Sequence, residues 1–139
     1  MSGPIETYRG MVTAWHCDHQ GHMNAVQFHA MFDQAGWQLL TRAGYGAARL
    51  KAERRGFVDV RMELEYLGEM LVGDPVVIAS GVVKLGSTSL VYRSTMHRGD
   101  AGEVTATAVC TTVHFDLEAR VKTPLPDDLR PAFEALVLP

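Results

Sequence analysis

The stretch Trp15-His16-Cys17-Asp18-His19-Gln20-Gly21-His22-Met23-Asn24, followed at once by an apolar run to Ala43, decides the fold. It reads as a polar loop feeding a buried helix. Asn24 suits an N-cap, because its short side chain can accept from a free N–H of the first turn. Gln27 stands three residues later, where a capping box wants Glu or Gln. Gly44 supplies the stop. The pattern predicts a helix from Ala25 to Ala43, about 28 Å long at 1.5 Å per residue. Gln27, Gln34, Gln38, Thr41 and Arg42 form one narrow polar stripe, and most other positions are apolar. A helix of that kind has to be wrapped. His29 and Asp33 interrupt the apolar surface four residues apart on one face.

Beyond this helix the chain is mostly strand. Val58, Val60, Met62, Leu64 and Tyr66 alternate with Asp59, Arg61, Glu63 and Glu65, so Phe57 to Leu67 reads as a strand with one apolar side against the helix. Pro75 to Leu85, Ser87 to Arg98 and Glu103 to Phe115 read as three more, joined by Gly turns into an antiparallel meander. Ile5 to Ala14 is a candidate first strand. Gly44 to Gly56 reads as a solvated short helix carrying Arg49, Lys51, Arg54 and Arg55, with a short helix also expected after Pro131. The fold class is therefore α+β: a curved antiparallel sheet around one long central helix, in a single domain over residues 1–139.

Bulk properties narrow the function. A 47% hydrophobic and 21% charged chain is an ordinary globular one, and a net charge of −3 argues against a general nucleic-acid binder. Two cysteines are too few for a disulfide framework. Met1 to Gly10 is polar rather than leader-like, and no apolar run reaches the roughly 18 residues of a membrane helix. The expectation is a cytoplasmic protein without a membrane partner.

Asp18-x-x-Gly21-His22-x-Asn24 at the entrance of a wrapped helix, with strands after it, resembles the hot-dog fold acyl-CoA thioesterases, the 4-hydroxybenzoyl-CoA thioesterase-like enzymes. The likeness runs from about Thr13 to Pro131. It implies hydrolysis of a small or medium acyl-CoA to carboxylate and free coenzyme, with coenzyme A as part of the substrate and no further cofactor. It also implies a homodimer, often doubled to a tetramer, with active sites at the subunit interface. In that family an aspartate at the position of Asp18 and an N–H at the helix start act on the thioester.

The residues support this chemistry. A thioester has a good leaving group, so the site needs a base or nucleophile and donors for the oxyanion. Asp18 is ionised at neutral pH and can attack the carbonyl or activate a water. Ala25 N–H, with Val26 N–H beside it, sits at the positive end of the helix and suits the oxyanion. His22 is an orienter or a structural histidine, and Asn24 a cap. Asp33 with His29 is a second candidate site; its simpler reading is a buried pair at the subunit contact. Related enzymes hold coenzyme A along the central hairpin, here Lys84, Gly86, Ser87 and Thr88, with Arg93 or a neighbouring subunit's 49–55 cluster as other phosphate contacts.

His16, Cys17, His19 and His22 lack a second ligand cluster, so no metal is expected. Trp15 and Trp37 read as core, with stacking on an aromatic or cationic acyl group as their other use. The sequence departs from the family twice: His16 stands where many members carry an acid, and Gln27 and Phe28 where many carry Tyr. Two other functions fit the residues. One is a hot-dog dehydratase or hydratase using His22 or His29 with Asp33, the other a non-catalytic acyl-CoA binder.

Overall fold

The computed structural model describes residues 3–139. Its central element, helix α1 (Ala25–Arg42), begins and ends where the capping pattern places it: Asn24 accepts from Val26 N–H, and Ala43 closes the helix before Gly44, whose φ is +102°. Phe28, Met31, Phe32, Ala35, Gly36, Leu39 and Leu40 make its buried face, the i, i+3, i+4, i+7 rhythm of a core-facing stripe. Each large apolar side chain hidden there is worth about 1.5–3 kcal/mol.

Strand β1 (Ile5–Met11) precedes α1; helix α2 (Ala47–Glu53) and strands β2 (Arg55–Tyr66), β3 (Pro75–Leu85), β4 (Ser89–Arg98), β5 (Val104–Asp116) and β6 (Val121–Lys122) come after it, with α3 (Arg130–Glu134) near the end. The strands form one antiparallel sheet in the order β1-β3-β4-β5-β2, with β6 also paired to β5. This is the expected α+β architecture, a curled half-barrel sheet with the helix in its hollow. α1 lies over β1 and β3 and touches β4; the β5–β2 side of the hollow carries little of it.

Two corrections concern the faces. β2 does not keep one phase: Asp59 pairs with Thr112 and Arg61 with Thr111, so Val60 is an extra, bulged residue. Phe57 and Asp59 therefore face the hollow before the bulge, and Met62 and Leu64 after it. Val58 and Val60, expected against the helix, are 41% and 60% exposed. The tryptophans are not core either. Trp15 is 91% exposed in a short 3-10 turn, and Trp37 is 43% exposed on the uncovered flank of α1.

The core has two lobes. One, under the first half of α1, includes Val12, Met23, Phe28, Met70 and Ile78; the other, under its second half, includes Leu39, Tyr45, Val82, Leu90, Leu125 and Phe133. In the second lobe the buried His114 ring sits beside Tyr45 and Phe57, its Nδ1 donating to Pro124 O at 2.9 Å and its Nε2 2.8 Å from the Tyr45 hydroxyl. Burial pushes the His114 pKa below its usual value. Between β1, β3 and β4 a chain of buried hydroxyls, Thr7–Ser80–Ser94, satisfies itself at 2.8 and 2.6 Å.

At Gly36 the helix lies close against the sheet, because a Cβ there would fall on the Tyr92 hydroxyl. Alanine is the better helix former by about 1 kcal/mol, yet overpacking costs about 1–3 kcal/mol. Gly36→Ala is therefore expected to lower stability in urea unfolding. Adding Tyr92→Phe, which removes the colliding oxygen, should recover part of the loss. An unchanged or higher midpoint for Gly36→Ala alone would contradict this packing.

Candidate active site

The loop before α1 is built by backbone bonds. Thr13 N–H donates to His16 Nδ1 at 2.9 Å and fixes the 3-10 turn Ala14–His16. Asn24 N–H then donates to His16 O at 2.9 Å, and Met23 N–H to Met70 O at 2.7 Å. Cys17 and Met23 bridge as isolated strand partners, with Cys17 packed against the first core lobe. Between them the chain reverses: Gly21 N–H donates to Asp18 O at 3.0 Å and Asp18 N–H to His22 O at 3.2 Å. Gly21 takes φ +88°, a conformation that glycine adopts without strain.

This reversal presents the Asp18 carboxylate to two donors. Oδ1 accepts from Gln20 N–H and Oδ2 from the Asn24 side-chain amide, each at 2.9 Å. Asn24 Oδ1 in turn accepts from Val26 N–H at 2.9 Å. One side chain therefore caps the helix and holds the carboxylate. Gln20 N–H, then the Asn24 amide, keep the Asp18 carboxyl below its usual pKa. The backbone N–H of Ala25, the first helical residue, has no acceptor among the described residues. It stands at the positive end of an 18-residue helix.

A cavity of about 390 Å³ opens beside this N-terminus, lined by His22, Met23, Ala25, Phe28, Tyr66, Leu67, Gly68 and Glu69. Asp18 is half-buried and does not line the cavity itself; it is joined to the cavity's Ala25 end through its bond to Asn24. His22 Nε2 lies 3.3 Å from Gln20 Oε1, which ties the histidine to the same loop.

The other candidates lie elsewhere. Asp33 is exposed two turns down α1, about 12 Å along the axis from Ala25, at a narrow crevice with Gly36, Asp59, Tyr92 and Thr112. His29 is also exposed, and neither forms an ion pair with the other in this chain, so the buried pair read from the sequence is not formed within one protomer. The hairpin with Lys84, Gly86, Ser87 and Thr88 is at the far end of the sheet, packed with the second core lobe. Its carbonyls are taken: Gly86 O by Arg130, Ser87 O by Leu125 N–H, Thr88 O by His114 N–H. Pro75, beside the loop through Met11, lies ten residues up β3, about 33 Å from Leu85. Lys84, Gly86, Ser87 and Thr88 thus do not meet Asp18, His22, Asn24 and Ala25 within one protomer.

The basic 49–55 segment is largely neutralised. Arg49 pairs with Glu53 and Asp128, Arg54 with Glu118, and Arg55 with Asp116. His16, Cys17, His19 and His22 do not converge; among the described residues no group of three or more His, Cys, Asp or Glu is arranged to hold a metal. Among the same residues, no helix is long and apolar enough to cross a membrane. Tyr66, Gly68 and Glu69 were not singled out from the sequence. The one signal was the phase of Tyr66, which shares the inner side of β2 with Met62 and Leu64.

Asn24→Asp separates the two duties of residue 24. The carboxylate still caps Val26 N–H but replaces the donor to Asp18 with a like charge. Stability should change by less than about 1 kcal/mol, the usual scale of a lost cap, while turnover falls by about 100-fold. Thioester turnover that persists in this variant would show that the Asn24–Asp18 bond is not part of the machinery. In the unaltered chain, the lowered Asp18 pKa keeps the carboxylate ionised on acidification. With Asp18 as the proposed base or nucleophile, the acid limb of kcat/KM is expected below the ordinary carboxylate range of about 4.

Comparison with known proteins places the chain in a family. The family model for the thioesterase-like superfamily matches residues 12–133. A long-chain acyl-CoA thioesterase, FadM of Escherichia coli, is 25% identical over 91% of this chain and 95% of its own. An L-carnitine dehydrogenase/betainyl-CoA thioesterase of Rhizobium meliloti is 24% identical over 92% of this chain, which spans about a quarter, 26%, of that longer protein. Among solved structures, a Staphylococcus aureus protein in complex with CoA superposes with a TM-score of 0.86 at 13% identity, covering 98% of this chain and 88% of that one. The chain belongs to the thioesterase-like superfamily and carries its hot-dog fold.

Proposed function

We propose that this protein hydrolyses acyl-CoA thioesters, with Asp18 as the nucleophile or general base and Ala25 N–H as an oxyanion donor. The observation that carries the reading is the Asn24 side chain. It bonds Asp18 Oδ2 with one end and Val26 N–H with the other, which ties the carboxylate to the helix start where Ala25 N–H has no acceptor among the described residues. As a base, Asp18 takes a proton from water while the hydroxide adds to the carbonyl. The oxyanion forms against the helix start, then collapses and expels the thiolate, which recovers the proton. As a nucleophile, Asp18 forms a mixed anhydride with release of the thiolate, and water then cleaves the anhydride. A fixed donor at the oxyanion is worth about 3 kcal/mol. His22, on the cavity wall, orients the loop through Gln20.

The active unit is a dimer formed along β2. Among the described residues this 12-residue strand pairs with β5 alone, and it shows Val58 and Val60 to solvent. A long edge with exposed apolar residues invites a second copy. Two-fold pairing of β2 with itself is antiparallel and sets the Tyr66 end of one strand near the Arg55 end of the other. That supports coenzyme A lying between the loop of one protomer and the Lys84–Thr88 hairpin end of its partner, which one protomer alone keeps apart. The FadM and betainyl-CoA relatives support the thioester class.

A panel of short, branched, aromatic and long acyl-CoAs, read by free-thiol release, tests the chemistry. Asp18→Asn should lose about 100- to 10,000-fold in kcat, and Asp33→Asn should retain most activity. Loss with Asp33→Asn alone would make Asp33, at the helix crevice, the acid that drives thioester hydrolysis; CoA-ester binding with no thiol release from any substrate would leave a binder or a dehydratase. For the dimer, Val60→Lys places a charge on the β2 edge. Sedimentation should then show monomers where the unaltered chain gives dimers, and an unchanged assembly would exclude pairing at that position.

A further inference from the structure

The cavity beside the helix start also sets which acyl group enters. We propose that Tyr66 limits the length of the acyl group and Glu69 rejects acyl groups ending in a carboxylate, an inference that rests on the thioesterase reading above.

Ala25, Phe28, Tyr66 and Glu69 all line the cavity, and Ala25 N–H has no acceptor among the described residues. Phe28 is buried, only 4% exposed, and its ring meets that of Tyr66 edge to face, with centroids 5.3 Å apart at 88°. Tyr66 is the last residue of β2 and is 52% exposed, so its ring forms an outer wall supported from one side. An apolar crevice of this kind discriminates between the two arms of the thioester. The pantetheine arm carries two amides, which lose their water there without replacement. A hydrocarbon or aryl acyl group gains by burial, and an aryl ring can add a further edge-to-face contact. The acyl arm therefore takes the cavity, and the Tyr66 ring closes the far side from the thioester end.

Glu69 supplies the sign of the field. Among the described residues it has no ion-pair partner. Arg98 donates to the Glu69 backbone carbonyl rather than to its carboxylate, and is itself paired with Asp74 and Glu103. Among the described residues, His22 is the one other titratable side chain on the cavity wall besides Tyr66 and Glu69. A terminal carboxylate on the acyl group would thus meet a like charge without an ion-pair partner at the exposed rim of the cavity, close enough for repulsion that salt weakens.

The test uses the full-length chain and a matched pair, 4-methylpentanoyl-CoA and succinyl-CoA, which share a skeleton and differ in an isopropyl or carboxylate end. The unaltered enzyme should favour 4-methylpentanoyl by at least about tenfold in kcat/KM. Glu69→Gln should narrow that ratio severalfold. Across straight chains of four to sixteen carbons, Tyr66→Ala should move the optimum to chains longer by two or more carbons. Tyr66→Phe, which keeps the ring, should keep the original order. If Tyr66→Ala fails to fold by circular dichroism, Tyr66→Leu serves instead. An unaltered enzyme that releases thiol but shows no preference within the pair, or a ratio indifferent to Glu69→Gln, or a chain-length order indifferent to loss of the ring, overturns this assignment while leaving the thioesterase reading intact. No thiol release from any acyl-CoA overturns both.

Discussion

A single side chain with two hydrogen bonds holds the proposed site to the fold. Asn24 offers its carbonyl oxygen to Val26 N–H and its amide to Asp18. The first bond is the ordinary business of an N-cap. The second turns the cap into a bracket, because a loop carboxylate now has a fixed place relative to the helix dipole. Everything upstream serves that bracket: the reversal at Gly21, the bond from Asn24 N–H to His16 O, and the anchor of Met23 on Met70. Everything downstream keeps the helix still. Seven buried residues bind it to the sheet, and Gly36 lets it lie against the Tyr92 hydroxyl.

Such a bracket carries a charge cheaply. Asp18 is paired with two neutral donors and no cation, and these donors favour its ionised form. A carboxylate held in this way stays available as base or nucleophile, whereas a bound Arg or Lys would have spent that charge in an ion pair. The contrast lies at the other end of the molecule. There, Arg49, Arg54 and Arg55 are matched by acids and serve to fasten α2 and the tail.

Much of this was legible in the sequence because it is local. The cap at Asn24, the stop at Gly44, the helix period and the turn glycines all act within a few residues, and the element boundaries came from them. Features that depend on distant partners were not legible. The alternation from Val58 to Tyr66 looks unbroken, and only pairing with β5 shows that Val60 is an extra residue that shifts the phase. Nothing near Lys84 to Thr88 tells which end of the sheet the hairpin occupies, so its separation from the loop needed the topology. Phe28 meeting Tyr66 is a contact across 38 positions, which no local pattern encodes. The exposed tryptophans misled for the same reason: an apolar side chain is expected inside, and its solvent-facing position is set by where the helix sits in the hollow.

The most direct test of the central claim is a structure of the protein with an acyl-CoA analogue in which a methylene beside the sulfur gives a stable ketone. The expected result is a carbonyl oxygen about 3 Å from Ala25 N, with an Asp18 carboxylate oxygen facing the carbonyl carbon directly or through one water. A carbonyl bound at the Asp33 crevice, with Asp18 turned to solvent, would contradict the account.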